Sequence, residues 1–506
     1  MEFEGDPWNM KNDYRGSSKL YKLGITELQA RHNRRVVSRD NLRSKAQTVR
    51  SVSNLGESAA RTYANVLLST TVVSLESQDG AGEMFLIGKG VLVISSCLLF
   101  LVASSSPRNV SPPVINPGCT TSCSEPWVVH IKADGENDTI HHIWGMHAAP
   151  SFLFATTDLS SELKVNWKKL QAGEEKSIQF DSPPNYVFGF AIPNLILFND
   201  VNDTGKLDGI PAEDRQVVSM SEFEWEVQET FNDSTREAAV IFKTSKFRGD
   251  PLPNDTHISI QMAAYGVDGR STVLPHLIRT PDSAQFDIVL DHLFLNLNST
   301  EGITLEKKPD YYPMSGFAKP RWAFDFFLFS SEKADGKTIQ ISKQKSLDDE
   351  NTPGVFHLDE ITTPLSRAGS QGGYLQWRPV SYLTSDRDIN FSTFPNINET
   401  FPLLDNITLA KSSLAYALLG EDLLTRVTAT TTVAFGQPKD NFYTGNNYTT
   451  WTVAMGQGSP PVESFSTMVI IVISLGVGIP VLMFLIGGIV IASRRCRQSS
   501  DQLLLN

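Results

Sequence analysis

Short runs rich in β-branched and aromatic side chains recur along the chain, and in several of them polar and apolar residues alternate. Residues 127–131, 140–144, 151–155, 163–167 and 238–242 have this character, and so do 258–262, 286–290, 322–326, 338–342 and 426–430. A strand turns successive side chains to opposite faces, so such runs predict half-buried antiparallel strands. Asp-Gly pairs beginning at Asp134, Asp208, Asp268 and Asp335 supply turns between them. Few long helical periods interrupt the pattern, and 412–424 is the best candidate. The expected fold is mainly β, a sandwich-like region. The polar stretch from Lys343 to Pro353 suggests an internal boundary near 310–350.

Two segments break the alternation. Residues 465–493 carry no charge and are rich in Val, Ile, Leu and Gly. At ~1.5 Å per residue this run exceeds a ~30 Å hydrocarbon core, so it predicts a single C-terminal transmembrane helix. Arg494, Arg495 and Arg497 follow it and mark the cytosolic side, which gives the chain type I topology. The second segment, 84–105, has Lys89, an apolar stretch and small residues near Ser105. It reads as a signal peptide starting at Met84, with an uncleaved signal-anchor as the rival. Residues 1–83 then form an N-terminal extension, disordered or partly helical. They hold a basic cluster at Arg31, Arg34, Arg35, Arg39, Arg43 and Lys45, which suits a solvated or disordered segment, with a nucleic-acid or membrane patch as the rival.

Between the two segments lie ten Asn-x-Ser/Thr triplets, at Asn109, Asn137, Asn202, Asn232, Asn254, Asn298, Asn390, Asn398, Asn406 and Asn447. Chance explains one triplet better than ten. Such triplets are used only where the chain meets the secretory lumen. Residues 106–464 therefore read as a glycosylated lumenal region, followed by the membrane helix and a cytosolic tail, 494–506.

Charge sharpens this picture. Residues 106–463 hold 28 Lys and Arg against 45 Asp and Glu, a net charge of −17. That excludes a basic nucleic-acid surface on the main region. Only Cys119 and Cys123 fall in it, and they suit one small-loop disulfide. Cys97 would leave with a signal peptide. Cys496 is juxtamembrane, a candidate for acylation or an idle thiol. No Gly-x-Ser-x-Gly, His-Glu-x-x-His or P-loop motif is present, so no catalytic residue and no cofactor is expected. His141, His142 and His147 crowd one stretch and invite a metal-site reading. On a strand His141 and His142 face opposite ways, which favours structural or pH-responsive roles and no metal. Trp377, Arg378 and Pro379 suit either a ligand surface or aromatic packing, with packing favoured.

From Thr139-Ile-His-His-Ile-Trp144 onward the chain resembles the glycosylated lysosomal membrane protein family. The likeness continues through Leu163-Lys-Val-Asn-Trp167, Ser177-Ile-Gln-Phe180 and Leu195-Ile-Leu-Phe198. It is strongest from Asp348 to Asp359 and in Leu375-Gln-Trp-Arg-Pro-Val-Ser-Tyr382. It closes with Tyr448-Thr-Thr-Trp451, Gly458-Ser-Pro-Pro-Val462 and the Gly-rich span. The resemblance implies a non-catalytic lysosomal membrane protein that serves as accessory subunit of a lysosomal major-facilitator transporter. Such a subunit holds the transporter in the lysosome and protects it from lumenal proteolysis. The family's mammalian members carry more lumenal cysteines than this chain, so their disulfides do not transfer, and residues 1–83 have no counterpart.

Two surfaces suit partners. The tail ends Asp501-Gln-Leu-Leu504-Leu505-Asn506, an Asp-x-x-Leu-Leu pattern for cytosolic sorting adaptors, with one carboxylate for a basic site and two leucines for a pocket. In the span, Ser474 with Gly478 and Gly488 with Ala492 give small-xxx-small spacing that lets helices approach closely. The alternative function is a membrane-anchored lysosomal hydrolase or sugar-binding receptor.

Overall fold

The computed structural model describes residues 106–120, 127–233, 236–252, 256–293, 317–348, 355–365, 372–398, 407–440, 448–462 and 467–503. The expected extension and signal segment lie outside the described residues.

Two eleven-stranded sheets dominate, each built from antiparallel pairs. The principal run of the first is Asn109–Val110, Trp127–Asp134, Asp138–His147, Ala149–Asp158, Tyr186–Ala191, Pro320–Lys333, Arg426–Phe435 and Pro395–Ile397. That of the second is Phe223–Asp233, Glu237–Phe247, His257–Tyr265, Ser283–Asp291, Tyr448–Gln457, Gly373–Trp377, Val355–Thr362 and Gln340–Asp348.

Alternation explains how they stack. In Trp127–Asp134, Val129, Ile131 and Ala133 enter the main core, while Val128 joins a second cluster on the other face. Ile140, Trp144 and Met146 repeat the inward set one strand on, with Ile143 outward. Across the gap, Phe286 of the second sheet meets Phe152, Phe190 and Trp144 of the first at ring-centroid distances of 4.7, 5.4 and 6.0 Å. Phe326 meets Trp451 edge-on at 5.3 Å. Offset and edge-on ring contacts of this kind hold the two inner faces together, and the result is a β-sandwich.

The first sheet is covered on its outer face as well. Leu153, Val187, Phe327 and Phe329 pack there against Leu170, Ile178, Leu414 and Leu423. These come from short helices, Trp167–Gln171 and Leu414–Leu419, the 3-10 turn Gly420–Thr425, and a ribbon of Leu163–Val165 with Ile178–Phe180. Burial on both faces is why Ala149–Asp158 is buried along its whole length except at Asp158.

Three expectations change. The predicted 412–424 helix is a series of short pieces, Thr408–Lys411, Leu414–Leu419 and Gly420–Thr425, because the chain turns at Gly420 with φ of 62°. Trp167 starts a helix and not a strand end, since the Asn166 side chain caps the Lys169 N–H at 3.2 Å. Among the described residues no boundary falls at 310–350: Pro320–Lys333 pairs with Tyr186–Ala191 and Asn194–Asn199 on one side and Arg426–Phe435 on the other. The predicted C-terminal helix is present as Thr467–Leu503, with Ile471–Arg495 apolar and long enough to cross a membrane.

Candidate functional site

Six of the ten glycan acceptors fall among the described residues. Asn109, Asn137, Asn202, Asn232 and Asn390 are exposed. Asn109 lies in a terminal strand, and Asn137 in the turn where the Gly135 N–H donates to Asp138 O at 2.8 Å. Asn232 ends the edge strand Phe223–Asp233, and Asn390 sits in the 3-10 turn Ile389–Phe391. Turns and edges of a sandwich point away from both cores, so a sugar on any of them projects into solvent. Asn398 differs. It is half-buried, its Nδ2 donates to Thr432 Oγ1 at 2.7 Å, and its backbone N–H donates to Thr432 O at 3.0 Å. Asn254, Asn298, Asn406 and Asn447 lie outside the described residues.

The loop carrying Asn202 is anchored by a group that the sequence hides. Arg321 is fully buried, and its Nε donates to Asp200 Oδ2 at 2.6 Å. Its Nη2 donates to Asp440 Oδ1 at 2.9 Å and also to Asp203. Asp200 in turn accepts the Thr204 N–H at 2.9 Å, the Thr204 hydroxyl at 3.1 Å and the Gly205 N–H at 2.8 Å. Thr204 is the hydroxyl member of the Asn202 triplet, so the buried ion cluster fixes the acceptor loop itself. On the outer face of the second sheet, Arg387 clamps Asp287 with both terminal nitrogens, while Thr452 donates to the same carboxylate at 2.6 Å. Arg beside Pro320, or in a Ser-Asp-Arg-Asp stretch, reads in sequence as a surface cation. The signal that was missing is three-dimensional, the convergence of distant carboxylates.

The histidines divide as strand geometry requires. His142 faces the main core, edge-on to Phe154 at 5.1 Å. His141 faces the outer side, where its Nδ1 shares a hydrogen bond with His130 Nε2 at 2.9 Å and its Nε2 another with Thr157 Oγ1 at 2.9 Å. Burial pushes His130 down to about 4, and His141 and His142 down to about 3; the neighbouring cations add to the effect. Burial lowers His147 as well. Among the described residues no three His, Cys, Asp or Glu are grouped to hold a metal. Trp377 and Arg378 are each 1% exposed, and Trp377 packs edge-on against Trp451 at 5.7 Å. That stretch is core packing, not a ligand surface.

Ser474, Gly478, Gly488 and Ala492 all lie within the C-terminal helix. At ~100° per residue, Ser474 and Ala492 coincide in angle and the two glycines fall ~40° to either side. The four therefore line one stripe. A Cβ added at Gly478 or Gly488 would meet nothing in this chain. Asp501 falls in the last turn of the helix, while Leu504 and Leu505 lie outside the described residues. Cys119 is disulfide-bonded, and Cys123, its expected partner, lies outside the described residues.

Known proteins match most of this chain, from the sandwich to the C-terminal helix. A Xenopus laevis glycosylated lysosomal membrane protein B is 24% identical over 387 residues, 75% of this chain and 89% of the relative. The Bos taurus protein is 26% identical over 447 residues, 82% of this chain and 97% of its own. The Homo sapiens protein is 24% identical, covering 74% and 86%. A solved Salmonella typhimurium protein described as a mutarotase has 6% identity and a TM-score of 0.26 over 67% of this chain and 96% of its own, an overlap too loose to assign an activity. The family model for glycosylated lysosomal membrane proteins matches residues 127–498, from the first long strand of the sandwich through the membrane helix, and the chain belongs to that family.

Proposed function

We propose that this protein is a non-catalytic accessory subunit of a lysosomal major-facilitator transporter, which it stabilises against lumenal proteolysis and supports in the lysosome. Its sandwich is lumenal, its C-terminal helix crosses the membrane with type I orientation, and its tail is read by sorting adaptors through Asp501, Leu504 and Leu505. Membership of a lysosomal membrane protein family over residues 127–498 supports the location. The exposed acceptors and the arginines after the span support the orientation. The observation that carries the subunit role is the helix stripe. Four small residues on one side let a second transmembrane helix approach closely, and nothing in this chain fills the space at Gly478 and Gly488.

Gly478→Leu tests it, because a Cβ added there meets nothing in this chain. The variant should fold, mature and reach lysosomes while co-purifying at least ~5-fold less of the transporter, the loss of about 1 kcal/mol of helix packing. Undiminished recovery would sink this docking face. Survival of every lysosomal major-facilitator protein after deletion of the chain would sink the subunit role altogether.

A further inference from the structure

The ribbon and short helix that cover the first sheet form a second feature, unrelated to the membrane stripe. A cleft of about 420 Å³ is lined there by Lys164, Asn166, Trp167, Lys169, Lys176, Ser177 and Gln179 among others. Its charge runs against the molecule, since residues 106–463 carry −17. Lys164 is paired with Asp181. Lys169 and Lys176 are exposed and have no carboxylate partner among the described residues. Glu175, next in sequence to Lys176, accepts the Glu421 N–H at 3.0 Å.

A second observation concerns Ser177. Its residue is 1% exposed and its hydroxyl has no hydrogen-bond partner. Its backbone oxygen is already used, accepting the Asn166 N–H at 2.8 Å. A buried hydroxyl left unpaired is destabilising, and Ser177 is one of the residues that line the cleft. The half-buried Trp167 is held by its Nε1, which donates to Pro117 O at 2.9 Å, and supplies an apolar wall. No glycan acceptor occurs between Asn137 and Asn202, so no sugar grows from this stretch to block entry.

We propose that this cleft binds the oxyanion of a sulfate or phosphate monoester of a sugar. The ammonium groups of Lys169 and Lys176 supply charge, the Ser177 hydroxyl donates one hydrogen bond, and Trp167 walls the sugar. Charge-assisted hydrogen bonds to an oxyanion are stronger than neutral ones, but both lysines face solvent, so a Kd on the order of 1 mM is expected.

Calorimetric titration of the full-length glycosylated protein in detergent at pH 5 tests this, with glucose 6-sulfate, glucose 6-phosphate, inorganic sulfate and glucose as probes. Either ester should bind, glucose should not, and Lys169→Gln with Lys176→Asn should weaken binding at least ~10-fold. Asn is chosen at 176 because Lys176 has φ of 53°, which Asn accepts. Ser177→Ala should weaken binding several-fold without lowering the thermal midpoint, an effect that a merely structural hydroxyl would not produce. Raising the pH to 7 should tighten the phosphate ester alone, as it gains its second charge, and the affinities of the two esters at one pH show which the site prefers. Inorganic sulfate binding as tightly as its ester would keep the oxyanion and make the free ion the ligand. Equal binding of glucose, unchanged binding in the double variant, or no binding of any anion at 10 mM would each overturn the proposal.

Discussion

At the residue scale, the buried imidazoles set how the protein responds to acid. His141 and His142 titrate at about 3 in the folded chain, against about 6.5 when unfolded. Their folded pKa is depressed, so below pH ~6.5 the unfolded chain takes up protons that the folded chain refuses. Stability therefore falls as the pH drops from ~6.5 toward 3, and by pH ~5 each costs about 2 kcal/mol. His142→Leu removes one such group from the core beside Phe154. The variant should lose about 2 kcal/mol less than the parent between pH 7 and pH 5, read from urea-unfolding midpoints. Equal losses in both proteins would show that His142 does not couple folding to protons. The sequence reveals that neighbouring histidines face opposite ways, because that follows from the strand repeat. It does not reveal His130 as the partner of His141, because the contact depends on register: Lys132 lies opposite His141, and Ile143 opposite His130. The acceptors show the same division. Their triplets are visible in the sequence, but the half-buried setting of Asn398 arises from Thr432 on a neighbouring strand.

At the element scale, local pattern locates strands well and misplaces what caps them. The 127–131 and 426–430 runs grow into Trp127–Asp134 and Arg426–Phe435, and Asp335-Gly336 makes a turn with both residues at positive φ. The 163–167 run is cut short because an asparagine competes for the backbone as a helix cap. What fixes Pro320–Lys333 in place is less visible still. Arg321 joins it to the loops at Asp200 to Gly205 and at Asp440 through a buried charge cluster. Breaking a buried ion pair from one side strands the other charges, at a cost of about 3–5 kcal/mol. Arg321→Leu should therefore unfold at much lower urea and be held back before the lysosome with immature glycans. Arg248→Leu is the comparison, since its pair with Glu222 is partly exposed and worth under about 1 kcal/mol. Equal stability of the two variants would place the strand's anchorage elsewhere.

At the scale of the whole molecule, the pairing of distant strands decides what can be removed. Local pattern says that 286–290 is extended, yet nothing local says that Ser283–Asp291 and Tyr448–Gln457 are neighbours along nine residue pairs. Tyr448–Gln457 also carries Gly373–Trp377 on its other edge, so it sits inside the second sheet and not at its rim. Among the described residues the main core runs from Val110 to Met455 and includes none from the C-terminal helix. The sandwich should therefore fold without the C-terminal helix, but only if that last strand is kept. A chain ending at Val462 retains the strand and the Pro461 oxygen that accepts the Gln376 amide at 3.0 Å. Expressed through the secretory pathway, it should be secreted soluble, with β-type circular dichroism and a cooperative thermal transition. A chain ending at Asn447 lacks the strand and strips partners from both Ser283–Asp291 and Gly373–Trp377. It exposes Phe286 and Leu375, which pack in the core, and it should aggregate or be retained in the cell. Aggregation of both chains would mean that the membrane helix is needed for folding. Secretion of both in folded form would mean that the central position of Tyr448–Gln457 is not what closes the sandwich.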